Sequence, residues 1–211
     1  MNNNKVIDLS HVINENVTVF PGMELPIFNN IEIDGYREKK MTMYSHTATH
    51  IDAPYHVIKN SKTLDEFPID KFFGKALMID CKALSGQRIT AEFLLPHEEK
   101  IRQSRFVIFN SGWSHKWKSP TYFKDFPTLD TAAATYLTTF GLNGIGLDSI
   151  SLDAVDDDAL PNHHIVLSHD ILIVENLCNL DAIMHDEFIF QCFPLKIEKA
   201  DGSPIRAVAI V

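Results

Sequence analysis

The densest group of reactive side chains in this sequence is His46-Thr47-Ala48-Thr49-His50-Ile51-Asp52-Ala53-Pro54-Tyr55-His56, preceded by Ser45. Three histidines and an aspartate fall within eleven residues, all at even positions. On an extended backbone alternate side chains share a face, so the four would project together. Imidazole and carboxylate groups at that density are donors for a divalent cation such as Zn²⁺. The stretch reads as the floor of a metal site with a catalytic histidine beside it.

Geometry limits how such a site is built. His46 and His50 would share a helix face, but Asp52 would not, and Pro54 opposes a helix running through it. Thr47, Thr49 and Ile51 are β-branched and favour extended backbone. A straight strand would hold His46 and His50 about 13 Å apart, at roughly 3.3 Å per residue. Ligands of one ion bond it at about 2.0–2.2 Å. The spacing therefore predicts a bend or bulge near Ala48. Pro54 then fixes the departing chain and aims His56.

Further ligands must come from other segments. Glu175 closes the apolar run Ile171-Leu172-Ile173-Val174. A carboxylate there is expensive to bury unless it is paired or ligated, which makes it the leading candidate; an exposed carboxylate at a strand mouth is the alternative. His163 and His164 follow Pro161-Asn162 and precede that strand, and either is placed to turn inward.

The elements that position these groups can be read in order. Lys5–Leu9 is a short strand, and Pro21-Gly22 closes the loop after it. Ile31–Ile33 is a half-buried strand, and 41–52 carries the site. The runs 75–80, 105–110, 144–148 and 171–175 are buried strands. A helix starts at Thr90, its cap, and Pro96 should break it. A second helix spans 129–140, capped by Asp130 or Thr128 and stopped at Gly141. The segments 193–199 and 205–211 form a hairpin about the turn Asp201-Gly202-Ser203-Pro204. The sum is an α/β or α+β domain, 1–211, around a mixed β-sheet.

Composition narrows the classes of function. The chain has 211 residues, 45% of them hydrophobic, and a net charge of −9 with no basic run. That argues against nucleic acid and anionic membrane as partners. The start of the chain does not read as a signal peptide, and no apolar run approaches the ~20 residues of a membrane span. Cys81, Cys178 and Cys192 are few and not paired as CxxC, which suits a reduced cytoplasmic protein. Asp153, Asp156, Asp157 and Asp158 lack calcium-loop spacing and read as a solvated acidic loop. Trp113 and Trp117 read as packing residues or as pocket walls.

The stretch 46–56 resembles the HxGTHxDxPxH motif of the metal-dependent cyclase-like hydrolases, a family that includes bacterial kynurenine formamidases and isatin hydrolases. The resemblance extends to Ile7-Asp8-Leu9-Ser10-His11, to His163 through Leu177, and to Gly202-Ser203-Pro204-Ile205-Arg206-Ala207. It implies a swivelling β/β/α fold and a homo-oligomer, a dimer at least. It implies His46, His50 and Asp52 as ligands of a first metal. Asp52 and Glu175 would bridge to a second, also bound by His163, which lies at the family spacing from Glu175. His56 would be the general acid/base, and Phe20 stands where a tryptophan commonly lines the substrate pocket. Ala48 replaces the motif glycine. If that residue needs φ > 0, alanine costs on the order of 1 kcal/mol.

The chemistry expected is hydrolysis of an amide or formamide on a small aromatic metabolite, with N-formylkynurenine the first choice. Zn²⁺, as two ions, suits the donor set, with Mn²⁺ the alternative. A metal-bound water would be the nucleophile, and His56 would protonate the leaving nitrogen. Opening of a cyclic amide such as isatin is the first alternative, and a non-catalytic metal- or ligand-binding module the second. Serine-hydrolase chemistry is weak, because no GxSxG elbow occurs.

Overall fold

Apolar runs with no polar face can be satisfied only where both faces of a sheet are covered. The computed structural model of the protein, which describes residues 5–211, places all four predicted runs at the centre of one sheet. The strands are β1 (Val6–Asp8), β2 (Ile27–Ile33), β3 (Tyr36–Thr42), β4 (His50–Asp52), β5 (Phe73–Asp80), β6 (Arg88–Ile89), β7 (Phe106–Asn110), β8 (Thr128–Leu129), β9 (Gly144–Leu147), β10 (Leu172–Glu175), β11 (Glu187–Gln191), β12 (Gly202–Pro204) and β13 (Val208–Ile210). The α-helices are α1 (Ala91–Leu94), α2 (Glu98–Arg102), α3 (Thr131–Thr138) and α4 (Pro161–Leu167). Nine strands form a mixed sheet in the order β1-β13-β11-β5-β7-β9-β10-β4-β12. Its central strands β5, β7, β9 and β10 are parallel, and the other pairings within this sheet are antiparallel. The expected α/β class and mixed sheet are what the chain forms.

Period-two alternation divides the central strands between two apolar layers. Ala76, Phe106, Ile108, Leu172 and Val174 pack with Phe188, Phe190, Ala207 and Ala209 on one face. Leu77, Ile79, Val107, Phe109, Ile145 and Ile173 meet Leu94, Ile101, Ala133, Leu137 and Val166 of the helices on the other. The helix signals act as expected. Thr90 Oγ1 accepts from the Phe93 N–H at 3.3 Å, and Pro96 sits in a tighter turn, Leu95–His97, that separates α1 from α2. Asp130, not Thr128, caps α3 by accepting from Ala133 N–H at 2.6 Å.

Three expectations need correction. The hairpin of 193–199 with 205–211 is reduced to one antiparallel bridge, between Pro194 and Ile205. Val208–Ile210 instead lies between β1 and β11, where Ala207 and Ala209 are fully buried. Of the supposed turn Asp201-Gly202-Ser203-Pro204, the last three residues are edge strand β12, where a proline without an N–H is tolerated. The strand at Ile31–Ile33 is the end of β2, which pairs with β3 across Asp34-Gly35; both turn residues have positive φ, as a type I′ hairpin turn requires. Ile33 is 58% exposed there, not half-buried.

Candidate metal centre

Strand register carries the site. β10 runs antiparallel to β4 with Glu175 opposite His50 and Ile173 opposite Asp52. β12 covers the other edge of β4, with Gly202 opposite Asp52. Between Thr42 and His50 the chain leaves the strand, and Ala48 takes a left-handed φ of +58°. This is the bend the ligand spacing demands. The Ala48 carbonyl accepts from His50 Nδ1 at 2.8 Å and from the Asn176 side-chain amide at 2.9 Å. Asn176 Oδ1 in turn accepts from the buried Tyr122 hydroxyl at 2.7 Å. The bend is thus clamped from below, and His50 Nε2 is left 3.3 Å from Asp52 Oδ1 and 3.4 Å from Glu175 Oε2.

His46 lies flat against β12. A Cβ on Gly202 would fall 2.5 Å from the His46 ring, so only glycine leaves room. The ring offers Nδ1 to Asp52 Oδ1 at 2.7 Å and Nε2 to Asp201 Oδ2 at 3.0 Å. His163 occupies the first turn of α4 and is buried, whereas His164 is exposed. His163 donates from Nδ1 to Asp153 Oδ2 at 2.7 Å and from its backbone N–H to the same oxygen at 3.0 Å. Its Nε2 then sits 3.4 Å from Glu175 Oε1. His56 ends a short turn begun by Pro54, with its ring centroid 3.9 Å from that of His46. Phe20, Met23, Ile150 and Leu160 wall a pocket of about 260 Å³ over His46, His50, His56, His163 and Glu175.

The donor set fits a divalent cation. The 3.3–3.4 Å separations among His50, Asp52, Glu175 and His163 match neighbouring ligands around an ion bonded at about 2.1 Å. Two groups, His46–His50–Asp52 and Asp52–His163–Glu175, share Asp52. Asp52 Oδ2 is buried and has no hydrogen-bond partner, an unsatisfied charge that a cation would answer. Without an ion, protons must balance the two buried carboxylates. Burial opposes a charge on His46, but Asp52 and Asp201 outweigh it and hold its pKa at about 10. Burial likewise opposes a charge on His163, and Asp153 and Glu175 raise it to about 10. Burial works against ionised Asp52 as well, yet His50, His46 and His56 keep its carboxyl below the ordinary range. A divalent ion would replace those protons and leave both rings neutral.

All seven predicted site residues therefore converge: Phe20, His46, His50, Asp52, His56, His163 and Glu175. The sequence reading missed Asp201, Asp153 and Asn176. Asp153 is corrected from a solvated loop residue to a buried one, 2% exposed, that holds His163. Trp113 packs with its indole N–H donated to the Tyr122 carbonyl at 2.8 Å, and Trp117 stacks on His11; neither lines the pocket over the histidines.

Comparison with known proteins follows the same lines. The putative cyclase family model matches residues 7–154. The kynurenine formamidase of Geobacillus thermodenitrificans is 30% identical, over 97% of this chain and 96% of its own length. That of Bacillus cereus strain ATCC 14579 is 31% identical, over 99% and 98%. Among solved structures, an isatin hydrolase bound to the product analogue thioisatinate superposes with a TM-score of 0.87 at 23% identity, covering 99% of this chain and 92% of that one. A predicted metal-dependent hydrolase from Bacillus stearothermophilus gives 0.82 at 25% identity, over 98% of each chain. With its motif, its fold and relatives along its whole length in agreement, the chain belongs to the cyclase family and is a hydrolase.

Proposed function

We propose that the protein hydrolyses the C–N bond of a small aryl amide, with an aryl formamide such as N-formylkynurenine as its substrate. The observation that carries this reading is the convergence of three histidines and two carboxylates beneath an apolar pocket, with a further histidine at its edge. The whole-length likeness to kynurenine formamidases supports the formamide. His46, His50 and Asp52 would hold one Zn²⁺, and Asp52, His163 and Glu175 a second, with Mn²⁺ the alternative. Such ions supply a Lewis acid for the carbonyl oxygen and lower the pKa of water.

The chain's own residues do the rest. Phe20, Met23, Ile150 and Leu160 seat the aromatic ring and exclude water around the reacting carbon. His56 holds a proton at the pocket edge and delivers it to the departing nitrogen. The His56→Ala protein is expected to keep its metal and to lose turnover by about 10²-fold or more, in line with general acid–base contributions.

Opening of a cyclic amide is the second reading. It is favoured by the same apolar pocket, with Phe20 in its wall, and by the fold shared with isatin hydrolases. Formate release from N-formylkynurenine and ring opening of isatin, assayed side by side with Zn²⁺ or Mn²⁺, separate the two. Preferred turnover of isatin overturns the formamidase reading. Lack of turnover on either substrate, with metal tightly bound, favours a binding module.

The reading extends to a cytoplasmic homo-oligomer. Cys81, Cys178 and Cys192 are buried and unpaired, and no helix is long and apolar enough to cross a membrane among the described residues. The β2–β3 hairpin pairs with no other strand among the described residues and exposes Ile27, Ile33, Tyr36 and Met41. A solution mass of 23.9 kDa by light scattering, that of one chain, contradicts the oligomer.

A further inference from the structure

Asp201 belongs to none of the roles assigned above, yet its carboxylate lies between two of the site's histidines. Its Oδ2 is 3.0 Å from His46 Nε2 and 3.8 Å from His56 Nδ1. The two rings are themselves nearly in contact, with centroids 3.9 Å apart. The backbone places Asp201 firmly, because its carbonyl accepts from Ala53 N–H at 2.8 Å, directly before the turn that carries His56. Gly202 follows it and provides the space in which His46 lies.

We propose that Asp201 is a positioning residue for both halves of the chemistry, orienting the metal ligand His46 and the acid/base His56 through one carboxylate oxygen. This rests on the hydrolase reading of the site given above. His46 turns Nδ1 toward Asp52, so Nε2 is the nitrogen left to carry the proton, and Asp201 accepts it. A carboxylate in that role fixes the tautomer and rotation of a ligand ring and strengthens it as a donor. His163 is held in the same way by Asp153, and His50 by the Ala48 carbonyl. His56 turns Nδ1 toward the same oxygen at 3.8 Å, an ion-pair separation longer than a hydrogen bond, and so directs Nε2 away from it. Catalytic hydrogen bonds are often long in a free enzyme and tighten in the complex with substrate. Asp201 is the only one of these orienting groups that reaches His56 as well as a ligand ring among the described residues.

The variants Asp201→Ala and Asp201→Asn test this, the second preserving the side chain's shape. Three readouts are needed: Zn²⁺ stoichiometry and affinity by chelator competition, the imidazole ¹H–¹⁵N signals of the zinc-loaded protein, and kcat and KM at saturating Zn²⁺. Both variants are expected to bind the wild-type number of ions about 10- to 100-fold more weakly, the range for lost outer-shell partners. The His56 imidazole signals should shift as the ring loses the carboxylate that faces its Nδ1. At saturating zinc kcat should fall about 10²-fold, a general acid–base contribution, with KM nearly unchanged. In a His56→Ala background Asp201→Ala should lower zinc affinity but leave kcat no further reduced.

Loss of one zinc equivalent would make Asp201 a ligand and overturn the proposal. So would wild-type kcat at saturating zinc, or wild-type zinc affinity together with unshifted His56 signals. If the unmodified protein turns over neither substrate, the hydrolase reading fails by itself. The zinc-affinity and imidazole-signal measurements then still decide what Asp201 does.

Discussion

Ala48 concentrates the local problem of the site in one residue. Its φ of +58° and its buried methyl group place an L-residue where glycine is favoured. The left-handed conformation costs such a residue roughly 1 kcal/mol or more. Ala48→Gly should therefore raise the unfolding free energy by about 1 kcal/mol. Urea denaturation checks this, and an unchanged or lower midpoint contradicts it. His11 offers a second test. Burial, with Lys118 nearby, depresses its pKa from the usual 6.5 to about 4. An unfolded chain takes up that proton near pH 6.5, whereas the folded one waits until about pH 4. The stability tied to neutral His11 is thus whole above 6.5 and lost as the pH falls toward 4. His11→Gln should flatten the stability–pH curve in that window. Curves of equal slope for the two proteins would contradict it. The bend at Ala48 was legible because ligand spacing on a straight strand is impossible. Asp153 and Asp201 were not, because they meet His163 and His46 from 10 and 155 residues away. No local pattern reports a contact of that kind.

At the scale of elements, the centre of the sheet was readable and its edges were not. The runs that became β5, β7, β9 and β10 are apolar on both faces, and the clusters above and below them explain why. The C-terminal segment misled because two apolar stretches around a Gly-Ser-Pro turn signal look like a hairpin. Which strand they pair with is decided by β1, β4 and β11, far away in sequence. That unforeseen pairing matters to function, since β12 brings Gly202 against His46. A methyl group at residue 202 would fall 2.5 Å from the His46 ring and must displace it. Gly202→Ala is expected to keep the fold and to weaken zinc binding about 10- to 100-fold, comparable to loss of an outer-shell partner. Calorimetric zinc titration with far-UV circular dichroism as a fold control checks this. Wild-type affinity would show that the ring's seat on β12 is not what holds His46.

At the scale of the whole molecule, one strand pair and one helix start converge on a buried anionic centre. Asp52 and Glu175 come from adjacent strands β4 and β10, and His163 from the first turn of α4. Their charges are unbalanced unless histidines are protonated or cations are bound. The fold therefore presents a site whose stability and activity should both depend on metal. The most direct measurement is a zinc titration of chelator-stripped protein, with bound metal and turnover of N-formylkynurenine and isatin followed together. The account predicts no turnover in the stripped protein, and recovery that saturates at two equivalents of zinc. Turnover in the fully stripped protein, or full activity reached with a single ion, would contradict it.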